Sequence, residues 1–230
     1  MKNGFLVIIL GLFLGLGGIA AAADEPVKAT GTYIYGDTEK KISHIDGNVR
    51  ITQGSTVITT DKATIYMDKK QVVLEGKVVL VNPDGTVTAD YLDYDLRKKT
   101  GQFKGNVVMQ RKAVKDSKAK KNTKDPFTLW AEELYLESDQ KNFIATRAKF
   151  DHKEFKGTAN QVTYTDSSEE MLFNSDVHLK KGKGEEIRSE EIKVNLKDKS
   201  FAATNNVSIQ MEVDDEEEDK TPPKKPGSKK

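Results

Sequence analysis

Gly47-Asn48-Val49-Arg50-Ile51-Thr52-Gln53-Gly54 is followed three residues later by Ile58-Thr59-Thr60-Asp61-Lys62-Ala63-Thr64-Ile65-Tyr66. In the first segment Val49 and Ile51 fall on one side and Arg50 and Thr52 on the other, the period of a strand with one buried face. Gly54-Ser55 supplies a turn, and the second segment is rich in β-branched residues that suit a pleated surface. Together they read as a two-stranded unit, and the chain repeats it.

The first segment follows a pattern Φ-x-G-x-V-x-Φ, with Φ apolar. It returns at Leu74–Leu80 and Phe103–Met109, more loosely at Phe173–Leu179 and Ala203–Ile209, and in degenerate form at Ile144–Phe150. The second segment carries an acid after a small residue and apolar positions two and four residues on. Its copies centre on Asp61, Asp90, Glu132, Asn160 and Glu190. From Gly47 to Asp61 and from Gly76 to Asp90 is 14 residues, and the return to the next first segment takes 14 or 15. Only Gly105 to Glu132, at 27, departs, which marks an insertion. A fixed period of about 29 residues is the signature of a repeated supersecondary unit and outranks local propensity. No stretch sustains helical periodicity after the N-terminal segment, so the fold is expected to be all-β.

In each second segment the inward parity slips at the acid: Ile58 and Thr60 before it, Ala63 and Ile65 after it. The same slip separates Val87 and Ala89 from Leu92 and Tyr94, and Ile187 and Ser189 from Ile192 and Val194. A one-residue phase change marks a bulge. The carboxylate beside it is expected to accept backbone hydrogen bonds freed at the bend.

Residues 1–23 carry one charge, Lys2, then the apolar run Phe5–Ile19 and four alanines before Asp24. This is the layout of a secretory signal peptide. Residues 24–213 are read as one β domain with a lysine-rich, structureless inserted loop at 112–125, and residues 214–230 as a disordered charged tail. The chain has no cysteine, so its core must hold without disulfides. Beyond residue 23 there are 36 basic and 36 acidic residues, a balance that argues against nucleic acid as partner.

His44, His152 and His178 stand singly on polar-looking positions without metal-ligand spacing, and are expected at the surface. The recurrent acids repeat at the structural period, which assigns them to the scaffold rather than to catalysis. No nucleophile elbow or phosphate loop is present. Neither an enzymatic activity, a metal nor a cofactor is expected.

Gly47–Gly54 followed by Thr60-Asp61-Lys62-Ala63 resembles the signature of the OstA-like family, most closely its periplasmic lipopolysaccharide-transport members, over Gly31 to about Met211. The resemblance implies a twisted, V-shaped antiparallel β-jellyroll, open at both ends. Its apolar trough would receive the lipid A acyl chains of lipopolysaccharide in the periplasm, with the sugars in solvent. By parity, that trough would be lined by Val49, Ile51, Ile65, Leu74, Val78, Leu80, Leu92, Phe103, Val107 and Met109. Phe150, Phe173, Val177, Leu179, Ile192, Phe201, Val207 and Ile209 would continue the row. Burial of acyl chains gains roughly 0.8 kcal/mol per methylene without directionality, so such a trough holds and passes lipid without chemistry.

The resemblance also implies head-to-tail homo-oligomers and docking to the inner-membrane and outer-membrane OstA-like subunits of the same pathway. The edge strands expected to serve are Thr32-Tyr33-Ile34-Tyr35 and Val207-Ser208-Ile209-Gln210-Met211. Two alternatives fit the same repeats: an inner-membrane-anchored OstA-like subunit that receives lipid from an ABC transporter, and an exported parallel β-solenoid of structural or adhesive role.

Overall fold

The computed structural model describes residues 27–115, 122–182 and 184–211. The expected signal peptide, the middle of the insertion and the charged tail lie outside them. The strands are β1 (Lys28–Thr30), β2 (Tyr33–Asp37), β3 (Ile42–Gln53), β4 (Thr56–Tyr66), β5 (Gln71–Asn82), β6 (Gly85–Asp95), β7 (Thr100–Arg111) and β8 (Val114–Lys115). They continue as β9 (Asn122–Lys124), β10 (Phe127–Glu137), β11 (Asn142–His152), β12 (Phe155–Thr165), β13 (Glu170–Lys181), β14 (Glu185–Asn195), β15 (Ser200–Thr204) and β16 (Ser208–Met211).

Apart from the β8–β9 pair, all of them form one 14-stranded sheet in which β3 to β7 and β10 to β14 each lie beside their chain neighbours. Every pairing is antiparallel, for instance Ile51↔Ile58 and Phe173↔Ile192. The antiparallel registers overturn the solenoid alternative, whose coils stack in parallel. The expected all-β, open antiparallel fold stands. At one edge β1 and β2 lie end to end along β3, and at the other β15 and β16 lie end to end along β14.

Bulges turn this meander into a folded sheet. The ladder registers shift between Asp46 and Val49, Glu75 and Val78, Lys104 and Val107, and Asn174 and Val177. At each shift two successive residues are left-handed: Gly47 and Asn48 (φ 73° and 50°), Gly76 and Lys77 (75° and 40°), Gly105 and Asn106 (73° and 47°), Ser175 and Asp176 (61° and 54°). The slip thus belongs to both segments of the repeat. It puts apolar residues of both strand halves on the same face, as in β3, where Ser43, Ile45, Val49 and Ile51 are all buried.

Glycine is required at Gly76 for a second reason: a Cβ there would collide with the Asp61 carboxylate. The bonding at the bend differs from the expectation. The Thr60 hydroxyl, one residue before the acid, donates to the carbonyls of Glu75 and Gly76 at 2.8 Å each. Ser189 does the same to Thr204 (2.5 Å) and Asn205 (3.1 Å). A hydroxyl donates to a carbonyl, which a carboxylate cannot do, so it suits the acceptors the bulge leaves over. Asp90 instead accepts from the Asn106 side chain at 2.8 Å, and Glu132 pairs with Arg147.

The turns fall on two rims. The first rim carries the connections after β3, β5, β7, β11 and β13. The second carries those after β2, β4, β6, β10, β12 and β14, each ending on a left-handed residue: Lys41, Lys70, Lys99, Lys141, Glu169 and Lys199. Asp37, Asp95 and Asn195 open three of these turns by accepting the amides two and three residues on, at 2.9–3.2 Å.

The insertion is not wholly structureless, since it holds the β8–β9 hairpin. Arg111 and Phe127 are register partners, so the insertion leaves and re-enters the sheet side by side. Because closure cost grows only slowly with loop length, the pairing at its base tolerates the added residues. The leading strand begins one residue later than expected, at Tyr33, and β1 precedes it.

Candidate functional site

Because each strand bends at its bulge, the open sheet folds over along the line of bulges, and the inner faces of the strand halves meet. Phe150, in the first-rim half of β11, packs T-shaped on Phe173, in the second-rim half of β13, with ring centroids 5.8 Å apart. Phe127, at the first rim, packs on Phe143 (6.2 Å) and Tyr164 (5.9 Å) from second-rim halves. The result is one continuous apolar interior running from Val27 to Leu196.

Of the trough residues read from parity, Val49, Ile51, Ile65, Leu74, Val78, Leu80, Leu92, Phe103, Val107, Met109, Phe150, Phe173, Val177, Leu179 and Ile192 are all buried in this one cluster. Phe201 is partly buried against it. Val207 and Ile209 are not in it: they are 45% and 50% exposed at the C-terminal edge. The left-handed pair Asn205-Asn206 separates β15 from β16. Ile209 still lies opposite the inward-facing Ile187, so it keeps the parity of the inner face and is exposed because it stands at the edge of the described sheet.

Phe127, Leu129, Leu134, Phe143, Phe155, Val162, Tyr164 and Met171 also line the interior. The insertion breaks the spacing ahead of the first of these, but Phe127, Leu129 and Ala131, then Leu134 and Leu136, follow the parity slip of the other second segments.

The edge residues lie where the sheet ends. Thr32 starts the leading edge, with Tyr33, Ile34 and Tyr35 exposed, and Ser208, Ile209, Gln210 and Met211 are exposed at the closing edge.

A set of polar contacts spans the lips of the interior. Arg111 lies over the rings of Phe127 (4.4 Å) and Tyr164 (5.4 Å), donates to the Asp125 carbonyl at 2.8 Å, and bonds the Tyr164 hydroxyl. Tyr164 donates to Asp166 at 3.1 Å, and burial pushes the Tyr164 phenol well above its ordinary pKa. Lys124, on the first rim, pairs with Asp166 of the second at 2.6 Å, and Glu154 of the first rim pairs with Lys199 of the second at 3.2 Å.

Lys153 joins these pairs, lying 3.0 Å from Asp125 and 4.0 Å from Glu154. Burial works to raise the Asp125 pKa, but Lys153 and the other cationic neighbours together outweigh it and hold the carboxyl below its usual range.

His152 contradicts its expected surface position. Its side chain is fully buried between Phe150 and Phe155, stacked on both at 6.2 and 6.3 Å. It falls on the inward parity of β11, a signal that its isolated polarity outweighed. His44 and His178 are half-buried, on Thr64 and Glu186 respectively. Among the described residues no group of three or more His, Cys, Asp or Glu is placed to hold a metal ion.

A family profile described as "LptA/(LptD N-terminal domain) LPS transport protein" matches residues 30–127 and 86–200, which together cover most of the chain and both halves of the interior. The chain belongs to this family. The LPS-assembly protein LptD of Nitrosomonas europaea is 29% identical over 92 residues, 40% of this chain, and this match spans 13% of the relative's length. The crystal structure of LptH, the LptA-homologous periplasmic component of the lipopolysaccharide transport device of Pseudomonas aeruginosa, aligns over 82% of this chain and 96% of that one. Its sequence identity is 11% and its TM-score 0.24, a likeness too slight to carry an argument.

Proposed function

We propose that this LPS-transport family member is a periplasmic carrier, which holds the acyl chains of lipopolysaccharide between the two inner faces of its folded sheet and moves them toward the outer membrane. The observation that carries the reading is the single apolar face, uninterrupted across the sheet and folded on itself. Replacing side-chain contacts by acyl contacts exchanges one apolar environment for another, so the cost of loading is the opening of the lips, not desolvation.

Photocrosslinking from a probe at Phe103, repeated at Val177, tests this: an adduct competed by unlabelled lipopolysaccharide is expected at both. A folded protein with no adduct at either position would reduce the interior to ordinary core.

The open edges support assembly end to end. Among the described residues, β2 and β16 each present one side without a strand partner, with Tyr33, Ile34 and Tyr35 on one and Ile209 and Met211 on the other. Such a contact is heterologous and extends until a partner caps it, and the inner- and outer-membrane subunits of the pathway are the caps this reading requires. Ile209→Lys should leave the chain monomeric by light scattering; an unchanged oligomer would rule the edge out.

The match to an LPS-assembly protein favours a second reading, in which the same interior serves at the outer-membrane end of the route. Co-purification with outer-membrane but not inner-membrane partners would select it.

A further inference from the structure

The lips over the aromatic part of the interior form a continuous run of alternating charge: Asp166, Lys124, Asp125, Lys153, Glu154, Lys199. Two of its links, Lys124–Asp166 and Glu154–Lys199, join one rim to the other. Beneath them Phe127, Phe150 and Phe155 are closed off from solvent. Acyl chains entering between the lips here must break both links.

The two sides of each broken link are left unequally provided. Asp166 keeps the Tyr164 hydroxyl at 3.1 Å, and Glu154 keeps Lys153 at 4.0 Å. Lys124 gives up its contacts to the carboxylate and the backbone carbonyl of Asp166, and Lys199 gives up its ion pair with Glu154. The Lys124 side chain is only 25% exposed, so solvent does little to replace its partner. A neutral amphiphile would leave the Lys124 cation poorly matched, while Lys199, 49% exposed, would fall back on water; a phosphate would serve both.

Resting on the carrier reading above, we propose that Lys124 and Lys199 are the headgroup-selecting residues of this protein: they take the phosphate of an anionic lipid, one from each rim, in exchange for Asp166 and Glu154. The lips are then a gate that a phosphorylated lipid opens at lower cost than a neutral one. A phosphate held by two ammonium groups forms charge-assisted bonds comparable to those it replaces.

The test compares bisphosphorylated lipid A with its dephosphorylated form, binding to the full chain being read by crosslinking from Phe103. Lys124→Gln with Lys199→Gln should weaken binding of the phosphorylated lipid about tenfold and leave the dephosphorylated lipid unchanged. A charge-matched pair away from these lips, the exposed Lys62→Gln with Lys69→Gln, should change neither. Inorganic phosphate, which lacks chains, should not compete. Asp166→Asn with Glu154→Gln, which frees the same lysines, should tighten binding of the phosphorylated lipid, and gives a second reading if the lysine variant fails to fold. Equal loss for both lipids, or loss for neither, would overturn the assignment while leaving the carrier reading intact. A wild-type chain that binds neither lipid would overturn both.

Discussion

Two stretches of one sheet, β3 to β7 and β10 to β14, are built on the same repeat and filled differently. The first is lined mainly by aliphatic chains such as Ile45, Val49, Ile58, Ile65, Leu74, Val78 and Leu80, with Tyr94 and Phe103 its large buried rings. The second adds the ring cluster Phe127, Phe143, Phe150, Phe155, Tyr164 and Phe173 to its own aliphatic residues. Branched aliphatic chains make many weak contacts of no fixed direction, whereas rings hold preferred angles to one another. In the second stretch they do so: Phe143 stacks on Tyr164 at 26° and Phe150 meets Phe173 at 67°. The cross-rim pairs Lys124–Asp166 and Glu154–Lys199 also lie over that stretch. One backbone repeat thus carries a part suited to sliding contact and a part held in register.

The largest test of this contrast is truncation. Phe150→Ala removes a ring in contact with Phe127, His152 and Phe173, and should cost about 4 kcal/mol. Leu74→Ala, equally buried in the first stretch, should cost about 3 kcal/mol. Denaturant titration reads both. A larger loss at Leu74 would break the contrast, since the rings would then contribute volume and no more.

The bulges give a test with opposite signs in the two stretches. Gly76→Ala puts a Cβ against the Asp61 carboxylate at φ 75° and should destabilise by about 1–3 kcal/mol. Ser175 occupies the matching place in the second stretch at φ 61°, and Ser175→Gly should stabilise by about 0.5–1 kcal/mol as the left-handed strain is relieved. If Ser175→Gly destabilises instead, its side chain holds the bend and the two bulges are not equivalent.

Much of the first stretch was legible in the sequence because glycine marks each left-handed pair and the spacing never slips there. The all-β class, the repeated two-stranded unit and the inward rows around Val49, Leu74 and Phe103 follow from that. The second stretch was harder to read. Arg147, Ser175 and Asp176 take left-handed positions that their residue types do not announce, and the insertion shifts the spacing ahead of Phe127. The contacts between the rims were not legible at all. They depend on how far each bulge bends its strand, and no sequence period records which turn of one rim lands against which turn of the other. His152 shows the same limit: its parity was right, but its chemistry pointed outward.

That histidine gives the second stretch a pH dependence above the range in which the carboxylates act. Burial lowers the His152 pKa below the ordinary 6.5, with Asp125 opposing and Lys153 and Arg111 assisting. The unfolded chain therefore binds the proton more readily, and stability present above about pH 6.5 is lost as pH falls through the lowered folded value. Carboxylates such as Asp37, Asp95 and Glu186, whose pKa values are lowered by their hydrogen bonds, lose their contribution only at lower pH. Denaturation midpoints at pH 7.5 and 5.5 should diverge in the wild type and converge in His152→Phe. Equal divergence in both would place the sensitivity elsewhere.

The smallest effect concerns the second rim. Lys70, at φ 55° in the β4–β5 turn, is left-handed without help from glycine, and Lys70→Gly should gain about 0.5 kcal/mol by relieving it. Glu169 holds the matching position in the β12–β13 turn at φ 54°, but its side chain is buried. Glu169→Gly relieves the same strain while stripping cover from the turn beside Asp166, so its gain should vanish or reverse. Thermal unfolding of the two variants resolves the difference. Equal gains would mean that the turn next to the cross-rim contacts is no more tightly built than its counterpart, and that the rigidity of the second stretch lies in its rings alone.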